Sequence, residues 1–197
     1  MKRRVAVFDF DGTLTQKDTL LEFIKFTQGK MSFYSGFLLY SPMLILMKLR
    51  LYPNWRAKEK IFSYFFKGRT LDSFQVAGMS FAKRIEEICN RDVLDILSKH
   101  ISEGDKVYVI TASVEDWVRP WCQNKANVIV LGTQAATDDE GRISGRFKTK
   151  NCYGQEKVNR LLLAEPDRND YVLFAYGDSR GDKEMIEYAD YGYYVNK

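Results

Sequence analysis

The chain has 197 residues, of which 45% are hydrophobic and 28% are charged, so its composition allows one packed domain, or a core domain with a small insert. The formal net charge of +4 is too small to indicate a nucleic-acid partner. The four apolar residues between the basic N-terminus and Asp9 are far fewer than a signal peptide needs, so none is expected.

The cysteine and histidine content narrows the chemistry. Three cysteines, an odd number without metal-binding spacing, predict reduced thiols in a cytoplasmic protein: Cys89, Cys122 and Cys152. The single histidine, His100, lies near the end of a predicted helix, where a surface or helix-dipole role is expected. A Ser-His or Cys-His triad is therefore not indicated, and acid–base chemistry is expected from carboxylates.

Short apolar runs predict five buried strands, at residues 5–8, 107–110, 128–131, 171–175 and 193–195. Helical stretches separate several of them, at residues 91–100, 114–124, 154–165 and 181–189. This alternation predicts an α/β fold, in which helices cover both faces of a parallel sheet and ligands bind beyond the carboxyl ends of the strands. Glu140-Gly141-Arg142 predicts the turn of a small β-hairpin between residues 139 and 147.

Residues 16–90 interrupt this alternation, because they contain no clear strand pattern. Candidate helix starts recur along them, at Asp18, Ser41-Pro42, Asn54 and Thr70, and the first of these helices is expected to end near Gly29. We therefore predict an all-helical insert at 16–90, with 1–15 and 91–197 forming the catalytic core. The insert is basic, with 12 Lys and Arg against 6 Asp and Glu.

An acidic motif follows the first predicted strand. Asp9 and Asp11 are two residues apart, so at a strand end their side chains lie on the same side, about 6–7 Å apart. Gly12 permits the tight turn that follows. Two such carboxylates can divide the work of nucleophile and proton donor. The alternative interpretation is a capping or calcium-binding acidic loop.

Three further motifs follow in chain order. Thr111, just after the second strand, offers a hydroxyl and nearby backbone N–H groups that can hold a phosphoryl oxygen, whereas Ser113, taken alone, is a helix N-cap. Lys157, near a helix start, can neutralise phosphate charge, although a lone helical lysine is usually solvated. Asp178 and Asp182 lie on a glycine-rich loop after an apolar strand, which suits a hard cation that prefers oxygen ligands.

Strand-end acids, a strand-end hydroxyl, a lysine and a second acidic strand end occur in that order between residues 5 and 182. This set resembles the four motifs of the haloacid dehalogenase-like hydrolase superfamily. The resemblance implies a Rossmann-like core in which Asp9 attacks phosphorus and carries the phosphate covalently. Asp11 would protonate the leaving oxygen and then activate water, a role that dehalogenating members do not need.

The same resemblance implies the remaining site. Mg²⁺ would be held by the side chains of Asp9 and Asp178 and by the backbone carbonyl of Asp11. The phosphoryl oxygens would be held by Thr111 and Lys157. Asp182 would orient that lysine or a metal-bound water.

The position of the insert resembles that of the C1-type helical cap in the phosphoserine-phosphatase-like branch. Asp18 stands where that branch often has a glutamate that reads the substrate amine. Thr111-Ala112-Ser113, however, replaces the Ser-Gly-Gly of phosphoserine phosphatases, which leaves the substrate open. The candidate substrate-binding residues are Asp18, Gly12, Ala112, Ser113 and Arg56.

The insert also carries an apolar segment beside a basic one. Residues 31–47 contain no charge, and residues 48–69 hold seven Lys and Arg and one acid. Gly36 and Pro42 interrupt the apolar run, so a membrane span is not expected. Either the cap buries these side chains, which is slightly favoured, or it contacts an anionic membrane and admits a lipid phosphate. Phosphatidylglycerophosphate phosphatases, which some members of this branch resemble, have comparable apolar caps.

The expected function is a Mg²⁺-dependent phosphomonoester hydrolase that acts on a small or lipid phosphate. A phosphotransferase, which passes the phosphate to a second hydroxyl, is an alternative that the sequence does not separate from it. A catalytically silent phosphate-binding protein is the alternative from another class. The complete set of motif residues argues against it.

Overall fold

The computed structural model describes residues 2–123 and 125–195. Its strands are β1 (Arg3–Phe8), β2 (Lys106–Val114), β3 (Val128–Thr133), β4 (Ala135–Thr137), β5 (Ile143–Phe147), β6 (Tyr171–Gly177) and β7 (Tyr191–Tyr194). Five of them form a parallel sheet in the order β3-β2-β1-β6-β7. The predicted parallel sheet is confirmed, with the first strand at its centre. The expectation of a buried strand at 193–195 is wrong, because β7 spans Tyr191–Tyr194 at the edge of the sheet and its side chains are exposed.

The α-helices are α1 (Thr19–Leu39), α2 (Ser41–Lys48), α3 (Asn54–Phe66), α4 (Leu71–Glu87), α5 (Arg91–Ser102), α6 (Glu115–Cys122), α7 (Gln155–Ala164) and α8 (Lys183–Tyr188). Short 3₁₀ turns occupy Arg168–Asp170 and Arg180–Asp182. None of the helices in the described ranges is long and apolar enough to cross a bilayer.

The central strand β1 is buried on both faces because successive side chains of a strand alternate between them. Ala6 and Phe8 pack into a core shared with α5, α6 and the helices before residue 90. Val5 and Val7 pack into a second core with α7 and α8. The predicted cover of helices on both faces is therefore confirmed.

The register of the sheet brings three strand ends together. In the parallel pairing, Phe8 at the end of β1 lies opposite Val109 of β2 and Tyr176 of β6. Because parallel strands end at the same edge, the loops after β1, β2 and β6 meet there. This is the edge at which the sequence places the acidic motifs and Thr111.

All described secondary structure between residues 19 and 87 is helical, as predicted, and consists of α1 to α4. Two of the expected N-caps are correct, because Asp18 accepts a hydrogen bond from the Leu21 N–H and Thr70 from the Ser73 N–H. Two are wrong: Ser41 and Asn54 are the first residues of their helices and make no capping hydrogen bond. The preceding residue of each, Tyr40 or Pro53, takes the cap position, because Pro42 and the extended Pro53 fix where the helical turns begin.

The first helix does not end at Gly29, as the sequence suggested. Gly29 has φ 79° and ψ 163°, and helical geometry resumes after it as far as Leu39. Only glycine adopts this conformation without steric cost, so the chain bends there and continues as a helix in a new direction.

The predicted hairpin is confirmed. Strands β4 and β5 pair antiparallel, and the turn between them contains Gly141. The hairpin packs on α3, where the rings of Phe147 and Phe62 lie 5.1 Å apart. The Gly68 N–H and the Ile143 N–H each donate across this junction, to Ile143 O and Arg69 O respectively.

The expectation that His100 lies on the surface is wrong. Its side chain is buried, with Nδ1 2.6 Å from Oδ2 of Asp105 and Nε2 2.9 Å from the Tyr176 hydroxyl. It lies on the same face of α5 as Val93 and Leu97, seven and three residues before it, which pack into the core beside the sheet. The three cysteines are all free and buried, which agrees with the expectation of reduced thiols.

Candidate active site

Asp9 and Lys157 form a buried ion pair at the carboxyl edge of the sheet. The N–H of Asp9 donates to the Tyr176 carbonyl at 2.9 Å, which fixes the acid immediately after the buried end of β1. The Lys157 ammonium donates to Oδ1 of Asp9, and both side chains are nearly inaccessible to solvent. The alternative that Lys157 is a solvated helical lysine is therefore wrong, because α7 directs its side chain into the interior of the site.

Asp182 is the second carboxylate partner of Lys157. Its Oδ1 accepts from the ammonium at 2.5 Å, and its Oδ2 accepts from the N–H groups of Asp178 and Ser179 at 3.1 and 3.0 Å. The Ser179 hydroxyl donates to the same oxygen at 3.0 Å. One carboxylate therefore both orients the lysine and holds the loop that carries Asp178.

Three carboxylates converge at this point. Each of Asp9, Asp178 and Asp182 offers an oxygen within 4.8 Å of the others, which suits a hard cation with oxygen ligands. Both oxygens of Asp182 also accept hydrogen bonds, from Lys157 and from the loop. The three clustered carboxylates are a donor set that fits a hard cation such as Mg²⁺.

Gly12 makes this convergence sterically feasible. Its φ is 86°, and a Cβ at this position would lie 2.3 Å from Oδ2 of Asp178. The turn after Asp11 therefore needs glycine for two reasons. Its backbone is left-handed, and the carboxylate of Asp178 approaches it closely. The predicted role of Gly12 as a turn residue is supported by this geometry.

Burial and charge set the protonation of the site. Burial raises the pKa of Asp9 to about 7, with Asp182 adding to the rise and Lys157 opposing it. Burial alone would lower the pKa of Lys157, but the charges of Asp9 and Asp182 outweigh it and the pKa is raised. The lysine therefore stays charged at neutral pH, while Asp9 takes up and releases protons there.

The Asp11 carboxylate is held by two hydroxyls, one from Thr19 of the helical insert and one from Ser113 of β2. Its Oδ1 accepts from the N–H and hydroxyl of Thr19 at 2.8 and 2.6 Å, and its Oδ2 accepts from the Ser113 hydroxyl. Burial raises the pKa of Asp11, the charge of Asp18 adds to the rise, and Lys58 opposes it. A raised pKa is what a group that donates a proton near neutral pH requires.

The segment after β2 differs from its predicted form. Ser113 is not a helix N-cap, since α6 begins at Glu115 after an uncapped Val114 and the Ser113 hydroxyl bonds instead to Asp11 and Thr19. Extension of β2 to Val114 leaves no free turn for a serine cap. The Thr111 hydroxyl is buried and accepts from the Ser113 N–H at 2.9 Å.

A cavity of about 250 Å³ opens between these carboxylates and the helical insert. Its polar wall includes Asp9, Asp11 and Lys157. Of the candidate substrate-binding residues, Asp18 and Ala112 line it. Arg56 does not, because it is exposed on α3 and stacks on Trp55 at 5.1 Å.

Several polar residues that the sequence did not mark as site residues also line the cavity. Lys58 reaches it from α3, and its ammonium donates to the Ala112 carbonyl at 2.6 Å. Asn151 and Tyr153 reach it from the loop before α7, and Oδ1 of Asn151 is buried without a hydrogen-bond partner in the described structure. None of these three belongs to a strand-end motif, so no local signal in the sequence marked them.

The chain is similar to known proteins along nearly its whole length. The sequence model of the haloacid dehalogenase-like hydrolases matches residues 6–187. Protein CicA of Caulobacter vibrioides is 33% identical over 191 residues, which cover 94% of this chain and 83% of that protein.

Solved structures share the fold. A protein with unknown function from Bordetella pertussis Tohama I has a TM-score of 0.81 at 19% identity, covering 96% of this chain and 88% of that one. A phospho-aspartyl intermediate analogue of phosphoserine phosphatase has a TM-score of 0.65 at 16% identity, covering 96% and 84%.

Proposed function

Because the chain belongs to the haloacid dehalogenase-like hydrolases, we propose that it is a Mg²⁺-dependent phosphomonoester hydrolase that works through an aspartyl-phosphate on Asp9. The observation that carries this proposal is the buried bridge from Asp9 through Lys157 to Asp182, beside Asp178. It combines a nucleophile, a fixed positive charge and carboxylate ligands for a cation within one cavity.

The first step transfers the phosphoryl group to the enzyme. A carboxylate oxygen of Asp9 forms a bond to phosphorus while the bond from phosphorus to the ester oxygen breaks. The protonated carboxyl of Asp11 gives its proton to that oxygen, so the alcohol leaves uncharged. Lys157 stays charged throughout and offsets the negative charge on the phosphoryl oxygens.

The second step returns Asp9 to its starting form. The carboxylate of Asp11 takes a proton from water, whose oxygen bonds to phosphorus as the aspartyl ester bond breaks, which releases inorganic phosphate. Bound Mg²⁺, held by Asp9, Asp178 and the Asp11 carbonyl, would supply further positive charge to the phosphoryl oxygens in both steps. The Thr19 and Ser113 hydroxyls orient Asp11 for its two proton transfers.

Thr111 is proposed to hold a phosphoryl oxygen, as the family resemblance implies. Its hydroxyl already accepts from the Ser113 N–H, so its own proton remains able to point elsewhere. Ala112, which lines the cavity, offers a backbone N–H next to it.

The experiment is a phosphate-release assay with and without Mg²⁺ on p-nitrophenyl phosphate, phosphoserine, sugar phosphates and lysophosphatidic acid. We expect release that requires Mg²⁺ and is abolished by Asp9→Asn with the fold retained. Unchanged release by Asp9→Asn would refute the mechanism. Transfer of phosphate to an added alcohol without release to water would instead support a phosphotransferase.

An amine-bearing substrate of the phosphoserine type is a second candidate, on the observation that Asp18 lines the cavity. One oxygen of Asp18 accepts from the Leu21 N–H at 3.0 Å, which leaves the other able to meet an ammonium group. Turnover of phosphoserine that is lost in Asp18→Asn, but retained on p-nitrophenyl phosphate, would favour it.

A further inference from the structure

The second half of α1, helix α2, the loop that follows and the start of α3 present an exposed apolar surface. None of the residues of α2 is buried, although its sequence is SPMLILMK. We call this the cap surface, and its exposed apolar side chains are Met31, Tyr34, Leu38, Leu39, Ile45, Leu46, Leu49, Leu51 and Trp55. Their exposed fractions run from 43% for Leu46 to 85% for Met31, so this is one contiguous stretch of chain with many apolar groups in water.

The segment is nevertheless well anchored on its other side. Phe33 and Gly36 of α1 are buried, and a Cβ on Gly36 would lie 2.4 Å from the ring of Phe65 in α3. Met31, Tyr34 and Leu38 follow the helical spacing of a separate face. The exposed face of α1 is therefore held in place by the packing of its opposite face on α3.

The charge along the cap surface is mainly positive, although Glu59 lies beside Trp55 at its edge. Residues 23–58 contain six Lys and Arg and no Asp or Glu. Lys48 and Arg50 stand among the exposed apolar side chains, and the Arg56 guanidinium lies 5.1 Å from the ring of Trp55. Apolar groups with a rim of cations and an interfacial tryptophan match an anionic lipid surface. A second copy of this surface would set cations against cations, so self-association through it is disfavoured.

The cap surface also adjoins the cavity of the candidate active site. Leu44 and Met47 of α2 and Phe37 of α1 line that cavity, whereas Ile45 and Leu46 of the same helix are exposed. A single helix, α2, thus lies between the cavity and the exterior of the protein. The part of the cavity lining that α1 and α2 supply is apolar, which suits a substrate with a hydrocarbon part.

We propose that the cap surface docks on an anionic bilayer, and that the substrate is a lipid phosphomonoester taken from that bilayer. This proposal rests on the proposed phosphatase function and names its substrate class. The phosphate reaches Asp9 and Lys157, and the acyl chain lies along Leu44 and Met47. Docking brings α2 to the headgroup region, so the lipid moves only a short distance to the cavity.

The experiment measures cosedimentation of the full chain with phosphatidylcholine vesicles, with and without phosphatidylglycerol. We expect binding that needs phosphatidylglycerol and weakens as salt is added. The variant Leu38→Glu/Ile45→Glu/Leu49→Glu should bind at least about tenfold more weakly, since it removes apolar contacts and adds repulsion. The matched control Val76→Glu/Met79→Glu/Leu163→Glu adds the same charge at exposed apolar positions elsewhere and should bind like the wild type.

Hydrolysis of a lipid and of a soluble substrate, measured side by side, distinguishes failure of this inference from failure of the proposed function. The cap-surface variant should lose most hydrolysis of lysophosphatidic acid in vesicles, while keeping its rate on soluble p-nitrophenyl phosphate. Wild-type protein that hydrolyses p-nitrophenyl phosphate yet neither binds vesicles nor hydrolyses the lipid would overturn the inference and leave the phosphatase intact. Equal loss of binding in both triple variants, or a dimer that buries the cap surface, would also overturn it.

Discussion

The ammonium of Lys157 lies 2.5 Å from Oδ1 of Asp182 and also contacts Asp9, although these two acids are 173 positions apart in the chain. One residue on α7 thereby joins the loops after β1 and β6. Because all three side chains are buried, their charges act at short range with little screening by water.

Asp182→Asn is expected to lower kcat/KM by about 10- to 100-fold, because residues that orient a metal or phosphate ligand typically contribute that much. The amide offers one acceptor oxygen where the carboxylate uses two, for Lys157 and for the Asp178 N–H. Steady-state kinetics at a series of Mg²⁺ concentrations measures the effect. The Mg²⁺ concentration that gives half-maximal activity should rise in the variant. The exposed control Asp167→Asn should behave like the wild type, and activity within a factor of two in Asp182→Asn would contradict the assigned role.

The affinity for Mg²⁺ should increase as pH rises towards about 7 and level off above it. Burial raises the pKa of Asp9 to about 7, so below that value a proton occupies a carboxylate that the cation needs. Calorimetric titration from pH 5.5 to 8.5 would measure both the affinity and the protons released on binding. Asp9→Asn should bind weakly at every pH, and a wild-type affinity that stays constant across this range would rule out Asp9 as the titrating ligand.

Gly12→Ala should impair metal binding as well as stability. The backbone at Gly12 has φ 86°, which costs an alanine about 1–2 kcal/mol. The new Cβ would also meet Oδ2 of Asp178 at 2.3 Å, so the carboxylate must move. Gly141→Ala is the matched control, since its φ is 73° and no atom lies within 4 Å of the added Cβ. Both variants should lower the free energy of unfolding, but only Gly12→Ala should lose Mg²⁺-dependent activity.

Glu165 should stabilise the fold in a pH-dependent way. Although burial opposes it, hydrogen bonds from Lys106, Tyr108 and Arg3 lower its pKa below the ordinary value of 4.5. The distances from its oxygens to these partners are 2.7, 2.5 and 2.5 Å. The stabilisation is complete above pH 4.5, and it is lost as pH falls through the lowered pKa, because the folded state then gains the proton that the unfolded state already holds.

Glu165→Gln tests this relationship. The variant should lower the free energy of unfolding by about 1–3 kcal/mol at pH 7, the usual cost of removing a charged partner from a buried cluster. The difference from the wild type should shrink as pH falls below 4.5. Urea unfolding at a series of pH values measures it, with the exposed Glu140→Gln as control. A difference that is the same at pH 7 and pH 3.5 would show that the charge of Glu165 contributes nothing.

The residues at the strand ends were predictable from the sequence. Asp9, Asp11 and Asp178 each follow an apolar run that is long enough for only one buried strand. Parallel strands end at a common edge of the sheet. The position of each apolar run and of the acid that follows it was therefore sufficient to predict that these acids meet. Lys157 and Asp182 were predicted through the order of motifs, and their burial and mutual contact came from the structure.

The side chains that face the helical insert were not predictable in this way. Lys58 reaches the Ala112 carbonyl across 54 positions, so this contact depends on how α3 packs on the sheet. Ser113 bonds to Asp11 across 102 positions because β2 extends to Val114 beside the loop that follows β1. The burial of His100 likewise depends on which face of α5 meets β6. Helical periodicity describes a face but does not say what covers it.

The sequence by itself therefore determined the chemistry at the sheet edge, because strand alternation and strand ends are local properties of the chain. Only the tertiary structure decided what surrounds that chemistry. The apolar residues of 31–47 were compatible with burial or exposure, and burial was the favoured interpretation. Packing on α3 buries Phe33 and Gly36 but leaves Leu38 and Ile45 in water. The reason is geometric, since α3 packs on one face of this segment and the side chains of the other face remain exposed.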